Sequence, residues 1–396
     1  MVVESTARSG GAIHSELRDG FHLEWGPSTL RGTTPELGWL LEQLQLRDSV
    51  VPLAPASRRR YVADADLRLR LLGPSLLPSL ARDPASMWRG MRALTQAPWR
   101  NPESVDAHIS LHSWVHQRFG RFAADTLAQG FCHGLYGRDA DQIDARFVLT
   151  GPERMRPTPV GQREQPKSFW LRQGLSTLTQ ALAQHCELQL HSRQSLGQLT
   201  EHFRPRAVVL TTSWWSTQSM LKDIGITVAP DFVSPSSMEI HYLVWAKAPW
   251  HLERSHRWLG RSFGLVTSRS EAQLLGMHIV SSTTPARTPE GAALVALYCR
   301  GGTTADQALA ECRSLVGGFP TPEAIWSGTV AHPMPAARPG YMPRLADLQQ
   351  ALISPRENGS RIYLAGSFTG GVGVPSRVRA ALHCAQRLSH DVQNHV

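Results

Sequence analysis

The segment Ala365-Gly366-Ser367-Phe368-Thr369-Gly370-Gly371-Val372-Gly373-Val374-Pro375 decides how this chain is read. It follows the apolar run Ile362-Tyr363-Leu364, which predicts a buried strand, and it leads into a helical pattern over about 374–388. Glycine-rich backbone between strand and helix carries little side-chain bulk, so a flat or anionic ligand can approach the main chain. The helix start adds unpaired N–H groups and a partial positive charge. The opposite end of the chain carries a second signal. Val2-Val3-Glu4 is an apolar strand ending in an acid, and Arg8-Ser9-Gly10-Gly11 follows. In dinucleotide-binding folds an acid at the end of the second strand accepts hydrogen bonds from ribose hydroxyls. Glu4 also reads as a solvated acid near a chain end.

Between these two stretches the pattern is mixed. Short strands are predicted around Ile13 and Phe21-His22-Leu23, closed by turns at Gly10-Gly11 and Gly26-Pro27. Pro35 opens a helix with Leu37, Leu40, Leu41 and Leu44 on one face. From 65 to about 150 the expectation is helical. Leu67, Leu69, Leu71, Leu72, Leu76, Leu77 and Leu80 stand among Arg68, Arg70, Arg82, Arg89 and Arg92, with prolines at 74, 78 and 84. Such a stretch either lies on an anionic membrane with its Leu face inserted or forms an ordinary helical subdomain with its charges in water. After a Pro-containing linker over 151–166, a helix is expected at 178–185 and strands at 187–190 and 207–210. The runs at 240–244, 263–266, 278–280 and 294–298 predict an antiparallel sheet.

Composition narrows the class. With 41% apolar and 18% charged residues the 396-residue chain is globular, and its length suits two or three domains. The 41 basic against 32 acidic residues give +9, a balance that suits an acidic ligand, an anionic surface or nucleic acid. The arginines are scattered apart from Arg58-Arg59-Arg60, which argues against a nucleic-acid partner. Five widely spaced cysteines with no C-x-x-C argue against a disulfide scaffold or zinc ribbon and set a reducing, cytoplasmic location as the expectation. No run of about 20 apolar residues is present to span a bilayer. The neighbours Cys132-His133, Cys186 with His185 and Cys384 with His383 lack metal-ligand spacing, so no metal is expected. Trp214-Trp215 reads as core or interface.

Taken in order, Glu4, Gly10-Gly11, the Phe21-to-Pro27 stretch and the 366–375 segment resemble the monoamine-oxidase-like flavoprotein superfamily and, within it, the protoporphyrinogen oxidase family. Further stretches carry the narrower likeness: Arg58 to Val62 with Leu67, Phe119-Gly120 with Gly134-Leu135-Tyr136-Gly137-Arg138-Asp139-Ala140, Ser168-Phe169 with Gly174-Leu175-Ser176-Thr177-Leu178, and Leu274-Leu275-Gly276 with Gly301-Gly302. The resemblance covers nearly the whole chain in collinear order. It implies an α/β fold with an FAD-binding Rossmann-like domain, truncated at its N-terminus, an antiparallel-sheet substrate domain and a helical membrane-docking subdomain. The implied divisions are 1–57, 166–230 and 341–396 for the FAD-binding parts, 58–165 for the helical part and 231–340 for the substrate sheet.

The resemblance also implies function. An FAD enzyme of this family removes six electrons from protoporphyrinogen IX with oxygen as acceptor, in haem and tetrapyrrole biosynthesis; the flavin does the redox chemistry, so no catalytic acid or base is assigned. By carry-over Glu4 would hold the ADP ribose, and Gly10 and Gly11 would pass close to the cofactor. Gly26, Pro27, Ser28 and Thr29 would lie along the flavin. Leu196, expected in a strand after His191, would sit near the adenine, and Gly366, Val372, Gly373 and Val374 would present the helix start to the ring. For the substrate, Arg58 matches a propionate partner, because a guanidinium fork fits a carboxylate; it also reads as a solvated member of the basic run. Leu265 with Phe263 would pack on the macrocycle or form an ordinary sheet-core pair. Gly134 would leave room at the pocket wall or serve as a turn glycine. Peripheral membrane contact and a homodimer fit the same family.

Three departures stand beside the likeness. The family opens with a strand, G-x-G-x-x-G and a helix that seats the FAD diphosphate, whereas only Met1, Val2 and Val3 precede Glu4. Either the true start lies upstream or the chain is a diverged member that binds FAD poorly; as written, it is expected to purify with little flavin. Pro375-Ser376 stands where an acidic or amide residue is common, and Pro333-Met334-Pro335 where the family has P-Q-Y. Two other functions remain in view: an oxidoreductase of the phytoene desaturase or amine oxidase kind, and a non-catalytic porphyrin-binding or membrane-associated protein.

Overall fold

The computed structural model describes residues 1–32, 34–73, 76, 105–149, 166–192, 194–228, 233–234, 237–251, 257–318, 320–331, 335–353, 360–369 and 371–393. The Leu- and Arg-rich stretch over 77–104, most of the 151–166 linker, Gly370, and Pro333 and Met334 lie outside the described residues.

The largest element is a seven-stranded sheet, in the order Ala324–Ala331, Ser237–Trp245, Ala293–Arg300, Leu274–Ile279, Gly264–Thr267, Arg60–Ala63 and Leu69–Leu71. Its neighbours pair antiparallel except Gly264–Thr267 with Arg60–Ala63, which run parallel. The expected antiparallel sheet is therefore mixed. Its last two strands come from a stretch expected to lead into helix. Leu67, Arg68, Leu69, Arg70 and Leu71 alternate with period two, the pattern of a half-buried strand, and Pro74 and Pro78 beyond them do not alter it. Asp64 fixes the turn: its carboxylate accepts the N–H groups of Asp66 and Arg68 and a 2.6 Å bond from Arg70 Nε.

One face of this sheet buries Leu265, Met277 and Leu297 with Ala308, Leu309 and Cys312 of the Ala305–Val316 helix. That helix, not foreseen, is started by a capping box between Thr304 and Gln307 and stopped at Gly317, whose φ of 73° suits glycine. The hairpin of Ser15–Arg18 and Phe21–Glu24 supplies Phe21 and Leu23 to a cluster with Tyr242, Leu294 and Trp326. The helix Gln129–Tyr136 ends at Gly137 in the left-handed conformation, and the Asp139 that follows accepts from His133 Nε2 at 2.8 Å and Arg300 Nη2 at 3.1 Å, which ties the helical part to the sheet.

Beside the large sheet lie two parallel pairs. Val2–Val3 pairs with Leu188–Gln189, and Ala207–Leu210 with Arg361–Leu364. The pairs are not hydrogen-bonded to each other, and Val2 and Val209 remain exposed. The helix Val374–Gln393 runs five residues past its expected end. Its Val374 and Val378 pack on a core of Leu30, Leu37, Leu41, Phe169, Leu171 and Leu178, with Ile13 at the same cluster, so the two ends of the chain share one core. Arg379 of this helix and Glu36 of the Pro35–Gln43 helix form a two-bond ion pair at 2.9 and 3.0 Å, with side-chain exposures of 4% and 0%.

Candidate functional site

Parallel strands leave a crevice outside their carboxyl ends, where α/β sheets bind ligands. Here the ends are followed by Glu4, His191-Ser192, Thr211-Thr212 and Ala365-Gly366. Glu4 is held by its backbone, its N–H donating to Gln189 and its carbonyl accepting from Ser192. Its carboxylate accepts the Thr6 N–H at 2.8 Å. Arg8 closes the following loop with bonds to the carbonyls of Ile13 and Gly11, 3.1 and 2.7 Å long. Gly10, at φ 108°, packs against Thr179 of the Ser176–Ala183 helix. At the far side, a Cβ on Gly366 would strike the Phe368 ring and the Thr212 carbonyl, so the turn closes only with glycine. Trp214 braces Phe368 edge-on with ring centres 5.1 Å apart, and Tyr341 donates to the Phe368 carbonyl.

Gly26 runs so close to Ala12 that a Cβ would overlap its carbonyl. Ser28 then becomes a hub. Its Oγ lies 3.1 Å from His278 Nδ1 and accepts from Arg287 Nη1 at 2.9 Å. His278 Nε2 lies 2.7 Å from Thr283 Oγ1, and the Thr283 hydroxyl faces the carbonyls of Ile279 and Val280. Both ring nitrogens are thus met by hydroxyls, Nδ1 by Ser28 and Nε2 by Thr283. Burial, then the charges of Arg287 and Arg60, hold this histidine well below the usual imidazole range. Arg287 is fully buried and also donates to the His22 carbonyl at 2.9 Å. Beside it Glu24, equally buried, accepts from Trp170 Nε1, the Leu175 N–H and Ser15 Oγ at 2.7, 2.9 and 2.6 Å. Burial pushes the Glu24 carboxyl up while Arg287 pulls it down. None of these partners was legible beforehand; the one sequence hint was a charged residue inside an apolar strand.

The substrate residues named from sequence separate in space. Phe263 stacks on His278 at 4.2 Å and 8°, and the Arg60 guanidinium covers the ring at 4.2 Å. Leu265 does not stand beside Phe263. The φ of 132° at Gly264 breaks the strand alternation, and Leu265 turns into the core with Leu309 and Cys312. Arg58 is exposed at the end of the turn Pro55–Arg58, so Arg60 is the member of the basic run that reaches the ring. Gly134 lies on a helix rather than in a turn. A Cβ there would come 2.8 Å from Val266 Cγ1, and one on Gly130 3.1 Å from Val266 Cγ2, so both glycines serve close helix-on-sheet packing. Leu196 is no strand residue either. Ser195 and Gln198 form a capping box, and Leu196 opens the helix Leu196–Phe203, buried with Leu210 and Trp214. Pro27 and Thr29 flank Ser28, half-buried, and Val372, Gly373 and Val374 line the helix start, also half-buried.

Residues 1–389 match the family described as flavin containing amine oxidoreductase. The chain belongs to that family. It is 23% identical to coproporphyrinogen III oxidase of Bacillus subtilis (strain 168) over 94% of this chain and 88% of that protein. It is 23% identical to the chloroplastic protoporphyrinogen oxidase of Nicotiana tabacum over 98% of this chain and 81% of the relative. Among solved structures, cyclohexylamine oxidase from Brevibacterium oxydans IH-35A superposes with a TM-score of 0.66 at 14% identity, covering 99% of this chain and 93% of that one. The fold is the mixed α/β fold of this flavoprotein family, and FAD is the family's cofactor. The residues present suit such a group. Arg377 buries two guanidinium nitrogens that have no hydrogen-bond partner among the described residues, donors suited to a diphosphate, while Gly26 and Gly366 let the chain pack directly on neighbouring residues around them.

Proposed function

We propose that this amine oxidoreductase-family protein oxidises a porphyrinogen, with protoporphyrinogen IX as substrate and molecular oxygen as acceptor. Three oxygen molecules take up the six hydrogens removed and leave as three hydrogen peroxide. The observation that carries the reading is the Ser28–His278–Phe263 contact, which joins the segment expected along the flavin to the large sheet. When bound, FAD supplies the two-electron chemistry. The chain's own residues supply the frame. Ser28, held by His278 and Arg287, would keep the 26–29 backbone rigid beside the ring, and Glu4 would take the ribose hydroxyls. Gly10 and Gly11 would border the cofactor, while Val372 to Val374 would offer N–H groups to its negative edge. A neutral His278 adds no charge there. On the substrate side, Arg60 has no carboxylate partner among the described residues and is exposed above Phe263, a cation placed for a propionate.

The test is anaerobic mixing of the FAD-loaded protein with protoporphyrinogen IX, coproporphyrinogen III, an amine and a carotenoid. Flavin bleaching by a porphyrinogen, with peroxide and porphyrin fluorescence after oxygen is admitted, supports the reading, and the faster tetrapyrrole names the substrate. Bleaching by the amine or carotenoid alone refutes it. Porphyrin binding with no flavin reduction favours a non-catalytic carrier. No helix among the described residues is long and apolar enough to cross a membrane. The Leu- and Arg-containing composition over 77–92 supports peripheral contact with an anionic bilayer, checked by co-sedimentation with anionic and neutral vesicles.

A further inference from the structure

Arg377 stands in the first turn of the Val374–Gln393 helix. Helical side chains lean toward the N-terminus, and this one reaches back until Nη1 donates to the Gly366 carbonyl and, at 3.4 Å, to Thr369 Oγ1. The guanidinium therefore lies at the glycine turn that closes the crevice. Its other two nitrogens, Nε and Nη2, are buried without a hydrogen-bond partner. Among the described residues no carboxylate pairs with it. The titratable neighbour that acts on it is Tyr341, whose hydroxyl is already given to the Phe368 carbonyl. Burial pulls the guanidinium down to about 10, which leaves it cationic at neutral pH.

A buried cation without a counter-charge is strongly unfavourable unless an anion joins it. Two positions along the same helix, Arg379 shows how this fold satisfies an arginine that serves structure, with Glu36 closing both bonds. Arg377 has no such partner. The free Nε and Nη2 form one edge of the guanidinium, the fork that matches two oxygens of a phosphate.

We propose that Arg377 holds the diphosphate of FAD, its Nε and Nη2 donating to phosphate oxygens at the mouth of the glycine turn. This rests on the reading of the crevice as the FAD site. The full-length protein, stripped of flavin, is titrated with FAD, FMN and riboflavin by quenching of flavin fluorescence. Wild type is expected to prefer FAD over riboflavin. Arg377→Met is expected to lower FAD affinity roughly tenfold to a hundredfold with riboflavin affinity unchanged, and Arg377→Lys to restore part of the loss. Equal weakening of FAD and riboflavin, or no change, overturns the assignment. Should Arg377→Met not fold, wild type decides: inorganic pyrophosphate is expected to raise its melting temperature and compete with FAD, and failure to do both overturns the proposal. A wild type that takes up no flavin sinks the cofactor reading, and the pyrophosphate arm then decides the anion site alone.

Discussion

His278 Nδ1 and Ser28 Oγ meet at 3.1 Å across 250 residues of sequence, and this contact links the sheet to the segment expected along the flavin. The imidazole is neutral in the folded state, held well below its ordinary range by burial and then by the charges of Arg287 and Arg60. In the unfolded chain the same group takes a proton near about pH 6.5. Below that pH the unfolded state binds more protons, so stability present above it is lost as pH falls toward the folded value. His22 and His14, both lowered chiefly by burial, act in the same direction. The expected loss is at most about 1.4 kcal/mol per pH unit for each such group. Urea unfolding from about pH 7.5 to about pH 5.5 is expected to show this slope, and His278→Gln to flatten it. An unchanged slope in the variant means that the folded imidazole binds protons as it does in the unfolded chain.

The Glu36–Arg379 pair is nearly dry, so removing one partner strands the other charge. Glu36→Gln or Arg379→Met is expected to cost about 3–5 kcal/mol in denaturant unfolding. Replacing both residues by Met is expected to recover most of that loss, because a buried pair is often no better than well-packed apolar groups. A double variant as unstable as the sum of the singles would assign the contribution to each residue's other neighbours.

Gly134 separates packing from a pocket role. Its missing Cβ lets the Gln129–Tyr136 helix sit against Val266, with Gly130 one turn earlier doing the same. Gly134→Leu is expected to destabilise by about 1–3 kcal/mol through overpacking, and Val266→Ala added to it to restore part of the loss. Raised KM at unchanged stability is the result that returns this glycine to the pocket wall.

What could be read beforehand follows from how local each signal is. Val2-Val3, 207–210 and 362–364 are short apolar runs bounded by polar, charged or glycine residues, and they lie in the expected strands. The long C-terminal helix follows from its periodicity. The strand Leu69–Leu71 was obscured by Pro74 and Pro78 and by leucine count, although its alternation was present in the sequence. The S-x-x-Q at Ser195 was likewise present and marks the helix that carries Leu196. The Ser28, His278, Arg287 and Glu24 cluster was not readable. Its members come from segments brought together only by folding, and a histidine within an apolar strand looks the same whether it faces core or site. Finding Arg60 beside Phe263 needed the sheet register, since the pairing of Gly264 with Arg60 places that side chain by the ring.

That register gives the sharpest mutational contrast. Arg60 rests over Phe263 with no carboxylate partner among the described residues, while Arg58, two residues earlier, is exposed at the end of a turn. A charge-assisted bond from Arg60 to a substrate carboxylate contributes about 1.5–3 kcal/mol. Arg60→Met is therefore expected to raise KM for a porphyrinogen by roughly tenfold or more with kcat little changed, since binding of ground and transition states is lost together. Arg58→Met is expected to leave both constants near wild type. Raising salt is expected to shrink the difference between the Arg60 variant and wild type, because part of the attraction at this exposed position is screened. The reverse pattern, with Arg58→Met impaired and Arg60→Met unaffected, would mean that the guanidinium over Phe263 is a lid on the ring and that the carboxylate is met further out on the surface.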